Sequence, residues 1–380
     1  MYKKLLALST FCGTIIGVGL FGLPYVASKI GFVPIILYFI IVGSVAIIIH
    51  LIFGEVVQRT KGLHRLPGYA EIYLGKKWKI FSSASGVVGI AGSILAYIIV
   101  GGKFLSDLFR PYLGGTESFY LIVYFSLGML LVYLGSKSIS KTELIMLFLF
   151  FVITIFLLIK SIGSINYSFL SGFRPQYLFL PYGVIMFSLW GASVIPETSE
   201  ILGAKFEKSL KNIITGGIII STATYLIFIF SVLGVTGIHT TSEALTGLIA
   251  RFGDGIASLA LMFGILTTFT SFLTLGITLK KIFWYDLKIS HFNSWLLVAA
   301  IPAGLYILGF TNFIAIISFV GTITLGFDTI TTILCYKKAK VKCDKKPSYS
   351  LTLHPRMIYI LTGLFLLGIG LEIFDLITQA

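Results

Sequence analysis

Charge is what this chain of 380 residues has least of: Asp, Glu, Lys and Arg make up 12% of it, against 57% hydrophobic residues. A soluble globule of that length could not cover its surface with so little polar material. With a mean hydropathy of +0.98, a lipid-facing exterior is the arrangement that fits. The longest polar stretches, 58–79 and 336–356, are too short for a soluble domain. Cysteine is scarce too: Cys12, Cys335 and Cys343 are odd in number and lack metal-ligand spacing, so neither a disulfide nor a metal site is expected. The five His and these cysteines assemble no nucleophile, base and orienting group, which argues against an enzyme. No GxxxxGK[ST] loop cradles phosphate, which argues against ATP-driven work. Acidic residues number 15 against 29 basic, giving +14, but the basic residues fall in short loops rather than one aromatic-interleaved patch. They mark topology and exclude nucleic acid as a partner.

What is there instead is a series of apolar runs. Crossing roughly 30 Å of hydrocarbon takes about 20 helical residues, and such runs lie near 5–28, 33–57, 81–105, 118–135, 143–164, 178–202, 211–235, 256–280, 293–309, 312–335 and 357–378. The start, MYKKLLALSTFCGTIIGVG, has the basic and apolar parts of a signal peptide but runs on through Pro24, so it reads as a retained first helix. Alternate loops hold 23 of the 29 Lys and Arg, the exceptions being Lys29, Lys103, Arg110, Lys160, Arg174 and Arg251. By the positive-inside rule this places the N-terminus in the cytoplasm and the C-terminus outside, with an odd number of crossings. In the segment 236–255, Ala244, Leu245, Leu248, Ile249 and Phe252 follow Thr241-Ser242-Glu243 at helical spacing, which predicts a short surface helix. The expected fold is an all-α integral membrane protein of about eleven helices in one transmembrane domain.

Two spans are interrupted. Residues 13–24 (GTIIGVGLFGLP) carry four glycines and a proline, and residues 187–197 (FSLWGASVIPE) carry a second break. In each a Gly precedes a Pro by five positions, Gly19 to Pro24 and Gly191 to Pro196, in spans of opposite direction. Glycine frees the backbone and proline removes a donor. Non-helical backbone at membrane depth survives only where protein or a water-filled cavity satisfies it. Gly13 and Gly17 also fit simple small-residue packing, but two breaks in corresponding places point to inverted repeats, 1–165 and 175–336, with an extra helix 355–378. Free N–H groups at a half-helix start suit a carboxylate, and unwound carbonyls suit an ammonium group or sodium. An amino acid needs both.

At these residues the sequence resembles the amino acid-polyamine-organocation superfamily, and within it the prokaryotic amino acid/auxin and tryptophan/tyrosine permeases. Residues 13–24 resemble that superfamily's glycine-rich first helix and residues 187–200 its sixth. Thr270-Ser271-Phe272-Leu273 with Leu275-Gly276 resembles the eighth-helix segment of the tryptophan/tyrosine permeases. The resemblance implies a LeuT-type fold of five plus five helices, with discontinuous helices 1 and 6 flanking the substrate. It places Thr14, Ile16, Gly17 and Gly19 at the substrate carboxylate and Ser188, Trp190, Gly191 and Ser193 around the amine and side chain. Trp190 reads as an aromatic gate or as a packing residue. Sodium-coupled members would hold a cation between helices 1 and 8, here Thr14 or Gly17 with Thr270 and Ser271, although membrane Ser and Thr often bond back to their own helix. Proton-coupled members carry an amine in mid-helix 5, where this sequence has only apolar residues and Lys160 near one end.

Ionisable residues within spans are functional candidates: His50, Glu55, Glu197, Glu200 and Asp328 all fall toward the predicted cytoplasmic side. They read as an inner gate pairing with Lys3, Lys4 or other basic residues, or as interfacial groups, with Asp328 the carboxylate best suited to proton coupling. The expected function is symport of a neutral amino acid, aromatic or small aliphatic, with sodium or protons as coupling ion and no other cofactor. The partners are the amino acid and the bilayer, with no obligate protein partner evident. A metal-ion carrier would want ligands that the breaks lack. A non-transporting sensor would keep the same site, and the short flanks beyond the spans disfavour it.

Overall fold

The computed structural model describes residues 2–135, 139–252 and 254–379. Helices are the only regular elements among them, as hydrocarbon demands of a backbone that must satisfy itself. In chain order they are α1 (Tyr2–Ile15), α2 (Gly19–Ile30), α3 (Phe32–Arg59), α4 (Leu66–Leu74), α5 (Lys76–Leu113), α6 (Glu117–Leu134), α7 (Ile139–Ile162) and α8 (Leu180–Ser188). Then follow α9 (Ile195–Phe206), α10 (Leu210–Thr236), α11 (Leu245–Phe252), α12 (Asp254–Lys281), α13 (His291–Ile307), α14 (Phe313–Phe319), α15 (Leu325–Ala339) and α16 (Pro355–Gln379).

Each of the eleven predicted runs overlaps a helix or a pair of them. Among the described residues, seven stretches are long and apolar enough to cross a membrane, or eight when α1 and α2 count as one bent span. The helices start and stop where local chemistry dictates. Thr116 and Asn312 cap α6 and α14 by accepting the Phe119 and Ala315 N–H groups at 3.3 and 3.1 Å. Gly31, at φ 109°, turns α2 into α3 against the Gly172 carbonyl, a conformation and a space that exclude a Cβ.

Hydrophobic residues face both ways. Phe11, Phe21, Phe104, Tyr225 and Phe272 are fully buried, while Ile40, Ile41, Phe148 and Leu366 are each more than half exposed. That outward apolar surface is what lipid covers. The broken first span lies at the centre, α1 packing on α7, α9 and α10, and α2 on α8 and α10. Around it α5 packs on α6 and α12, and α15 on α3 and α4.

The short helix predicted after Thr241 is α11. Thr241 Oγ1 accepts from the Gly247 N–H at 3.2 Å, Leu245 and Leu248 are buried, and Thr246 Oγ1 donates to Asp107 Oδ2 on α5 at 2.6 Å. The side chains of Ile249, Phe252, Arg251, Lys137 and Lys141 lie outside the described residues.

Candidate functional site: two broken helices and their partners

Glycine and proline act in the first span as their chemistry requires. Ile16 N–H still reaches Cys12 O at 2.8 Å, but Gly17 N–H turns to Ile15 O at 2.9 Å and Leu20 N–H to Gly17 O at 3.2 Å. The Gly13 and Ile16 carbonyls thereby lose their helical donors. The chain resumes as α2 at 52° to α1. Val18 N–H donates to Tyr97 Oη on α5 at 3.2 Å. A Cβ on Gly17 would collide with that same hydroxyl.

The second break opens after α8. Trp190 N–H takes Phe187 O at 3.3 Å, a 3-10 turn covers Ala192–Val194, and α9 begins with Pro196 in its first turn. Gly191 N–H donates to His50 Nε2 on α3 at 2.9 Å, while His50 Nδ1 lies 2.6 Å from Ala46 O. A carbonyl can only accept and an amide N–H can only donate, so the imidazole is neutral with its proton on Nδ1. The Trp190 ring meets the His50 ring edge-on, 5.2 Å between centroids.

The breaks touch each other. A Cβ on Gly191 would lie 2.7 Å from Ile15 Cγ1, and one on Gly19 would strike Ser188 Oγ. Tyr225 Oη on α10 lies 2.7 Å from Ile15 O and 2.8 Å from Ser188 O. Of the eight residues expected around a substrate, Ile16, Gly17, Gly19, Ser188 and Gly191 are buried at this meeting point, and Trp190 is half-buried beside it. Thr14 and Ser188 turn their hydroxyls back to Thr10 O and Val184 O at 3.0 and 2.7 Å, and Ser193 is exposed. A cavity of about 2120 Å³ opens near Lys29, Lys103 and Glu243 and reaches Val100, one turn from Tyr97, and Met186 on the helix that ends at Ser188; none of the eight lines it.

A separate cavity of about 30 Å³ lies between the first break and α12, lined by Gly13, Ile16, Thr267, Thr270 and Ser271 with Leu147 and Phe150 of α7. Thr270 and Ser271, two of the residues expected around a cation, line this cavity together with Gly13 and Ile16, whereas Thr14 and Gly17 do not. The reason is helical phase: Thr14 bonds back along α1, and Gly17 faces Tyr97. The Thr267 hydroxyl is buried without a hydrogen-bond partner among the described residues. It shares the cavity with two residues whose carbonyls have lost their helical donors, and oxygens of that kind suit a small hard cation.

The expected gate residues separate into different environments. Glu55 is fully buried. Arg59 Nη2 lies 2.7 Å from its Oε1, Ser350 Oγ donates to Oε1 at 3.1 Å and Leu351 N–H to Oε2 at 2.6 Å. The same strap between α15 and α16 places Tyr349 Oη 2.8 Å from Leu51 O, and Lys345 Nζ 2.9 Å from Glu207 Oε1. Burial first, then the Glu55 charge, pushes the Tyr349 hydroxyl well above the usual phenol range, which keeps it a donor. Glu197 Oε1 lies 3.9 Å from Arg65, and Glu200 is exposed. Lys4 sits over the Phe206 ring at 5.4 Å, so the carboxylates' ion-pair partners are Arg59 and Arg65 rather than Lys3 or Lys4. Asp328 is half-buried with Oδ1 unpartnered among the described residues. The sequence singled out neither Tyr97 nor Tyr225. Among the 19 tyrosines of the chain, nothing local distinguishes the two that complete a distant backbone.

Comparison with known proteins agrees with this architecture. The chain is 26% identical over 320 residues to tyrosine-specific transport system 1 of Haemophilus influenzae, covering 80% of this chain and 76% of that protein. Its fold matches the crystal structure of MhsT in complex with L-phenylalanine at a TM-score of 0.70 and 16% identity, over 97% of this chain and 98% of that one. That is the LeuT-type fold. Residues 2–374 match the tryptophan/tyrosine permease family. The protein is therefore a multi-pass membrane transporter of amino acids, not an enzyme, and it belongs to the tryptophan/tyrosine permease family.

Proposed function

We propose that this transporter carries an aromatic amino acid, tyrosine foremost, by symport with one sodium ion, through alternating access of the two breaks. The named relative transports tyrosine and the fold neighbour holds phenylalanine. At the start of α2 the Val18, Leu20 and Phe21 N–H groups go to Tyr97 Oη, Gly17 O and Val18 O, which leaves the Gly19 N–H and the positive end of the α2 dipole for a carboxylate, and the ends of α1 and α8 offer carbonyls for an ammonium. Between the helix ends, at 16–18 and 189–194, there is no acidic or basic side chain to hold a charged substrate side chain. The observation that carries sodium is the cavity of about 30 Å³ with the unpartnered Thr267 hydroxyl. Gly13 and Ile16 carbonyls with Thr267, Thr270 and Ser271 would hold the ion there. The inverted repeats 1–165 and 175–336, the added helix 355–378, and a cytoplasmic N-terminus with an external C-terminus complete the reading, supported by loop charge.

The unpartnered Asp328 Oδ1 favours a second reading, proton coupling. Radiolabelled tyrosine, tryptophan, phenylalanine, leucine and alanine, offered to proteoliposomes under a sodium gradient or a pH gradient alone, decide between them. Sodium-driven uptake of the aromatic members is expected. Uptake driven only by the pH gradient would move the coupling role to Asp328, and saturable binding without uptake would make the protein a sensor.

A further inference from the structure

The side chains that complete the two breaks are not equivalent. Tyr97 serves the first break, through Val18, and His50 serves the second, through Gly191. Tyr225 serves both. Its ring is fully buried on α10, beside Phe39 at 6.2 Å between centroids, and α10 itself packs on α1, α2, α3 and α9. The acceptors of its hydroxyl, Ile15 O and Ser188 O, belong to the last residues of α1 and α8. Two helix C-termini therefore converge on one oxygen. Ile15 O also accepts the Gly17 N–H at 2.9 Å, but each terminus brings the negative end of a helix dipole, so the two repel unless a donor stands between them. A phenol has one proton, and two carbonyls at nearly equal distance must share it.

We propose that Tyr225 is a positioning residue for transport, its shared hydroxyl proton holding the first and second breaks at one spacing so that they present their backbone groups to the substrate as a unit. The proposal rests on the reading that the breaks hold the amino acid. Tyr225→Phe removes one oxygen from a buried ring and leaves its volume almost unchanged, so the fold survives. The two carbonyls are then free to separate.

The test uses the full chain in lipid nanodiscs and proteoliposomes, with Tyr120→Phe as control. Tyr120 is also buried, but its hydroxyl donates to Gly114 O at 2.6 Å, away from both breaks. Hydrogen exchange read without any amino acid should rise in Tyr225→Phe by about tenfold, the size expected for one lost hydrogen bond, in the segments 15–20 and 187–194 together. Exchange rising in one segment alone, or in neither, would overturn the proposal. In uptake, KM for tyrosine should rise about tenfold with the maximal rate per folded protein nearly unchanged. A loss of thermal stability with KM unmoved would make Tyr225 merely structural. If the wild type takes up no amino acid, the substrate reading falls, while the exchange data still decide whether Tyr225 links the breaks.

Discussion

His50 Nε2 accepts the Gly191 amide proton at 2.9 Å, so a residue of α3 completes the backbone of a break between α8 and α9. The other nitrogen of the ring is committed to Ala46 O. His50→Phe leaves the Gly191 N–H buried without a partner, at a cost of about 1–3 kcal/mol. His50→Gln keeps an acceptor and should recover part of the loss. Thermal unfolding in detergent reads both; equal stability of the two variants would mean that the hydrogen bond contributes nothing.

Gly17 and Tyr97 form a steric pair. Gly17→Ala should abolish uptake because the new methyl meets the Tyr97 hydroxyl, whereas the ring carbon behind it stands at 3.4 Å. Adding Tyr97→Phe should therefore restore part of the activity despite removing the Val18 acceptor. A double variant no better than Gly17→Ala would show that the glycine is needed for backbone freedom instead.

At the small cavity, Thr267→Ala and Ser271→Ala should each raise the sodium concentration for half-maximal uptake by about tenfold, one ligand's worth of roughly 1.4 kcal/mol. At saturating sodium the KM for tyrosine should stay nearly constant. Sodium dependence identical to wild type would remove the ion from this site.

The strap over α3 offers a stability test. Glu55→Gln strands the Arg59 guanidinium and weakens the Leu351 and Ser350 contacts, and breaking a buried pair from one side costs about 3–5 kcal/mol. The expected readout is a lower unfolding temperature and faster tryptic cleavage after Lys345, the Lys346–Pro347 bond being resistant to trypsin. Cleavage at the wild-type rate would mean that the strap is held elsewhere. Gly54 tests the same contact from below, since a Cβ there would strike the Tyr349 hydroxyl.

Composition and local pattern determined a great deal. Low charge and long apolar runs dictate membrane helices, and glycine with proline at 13–24 and 187–197 dictates where two of them break, because both effects act within a few residues of chain. The cap at Thr241 and helix α11 were legible for the same reason. What the sequence could not decide was which distant side chain answers each freed backbone group. That depends on the helical phase and mutual rotation of α3, α5, α10 and α12, set by packing over the whole bundle. Packing placed Gly13 and Ile16, and not Thr14 and Gly17, beside Thr267 and Thr270; it laid Ser350 and Leu351 of the strap on Glu55, whose pairing with Arg59 one helical turn away is local. It also brought Tyr225, 210 residues along the chain from Ile15, to stand between two breaks that the sequence had marked separately.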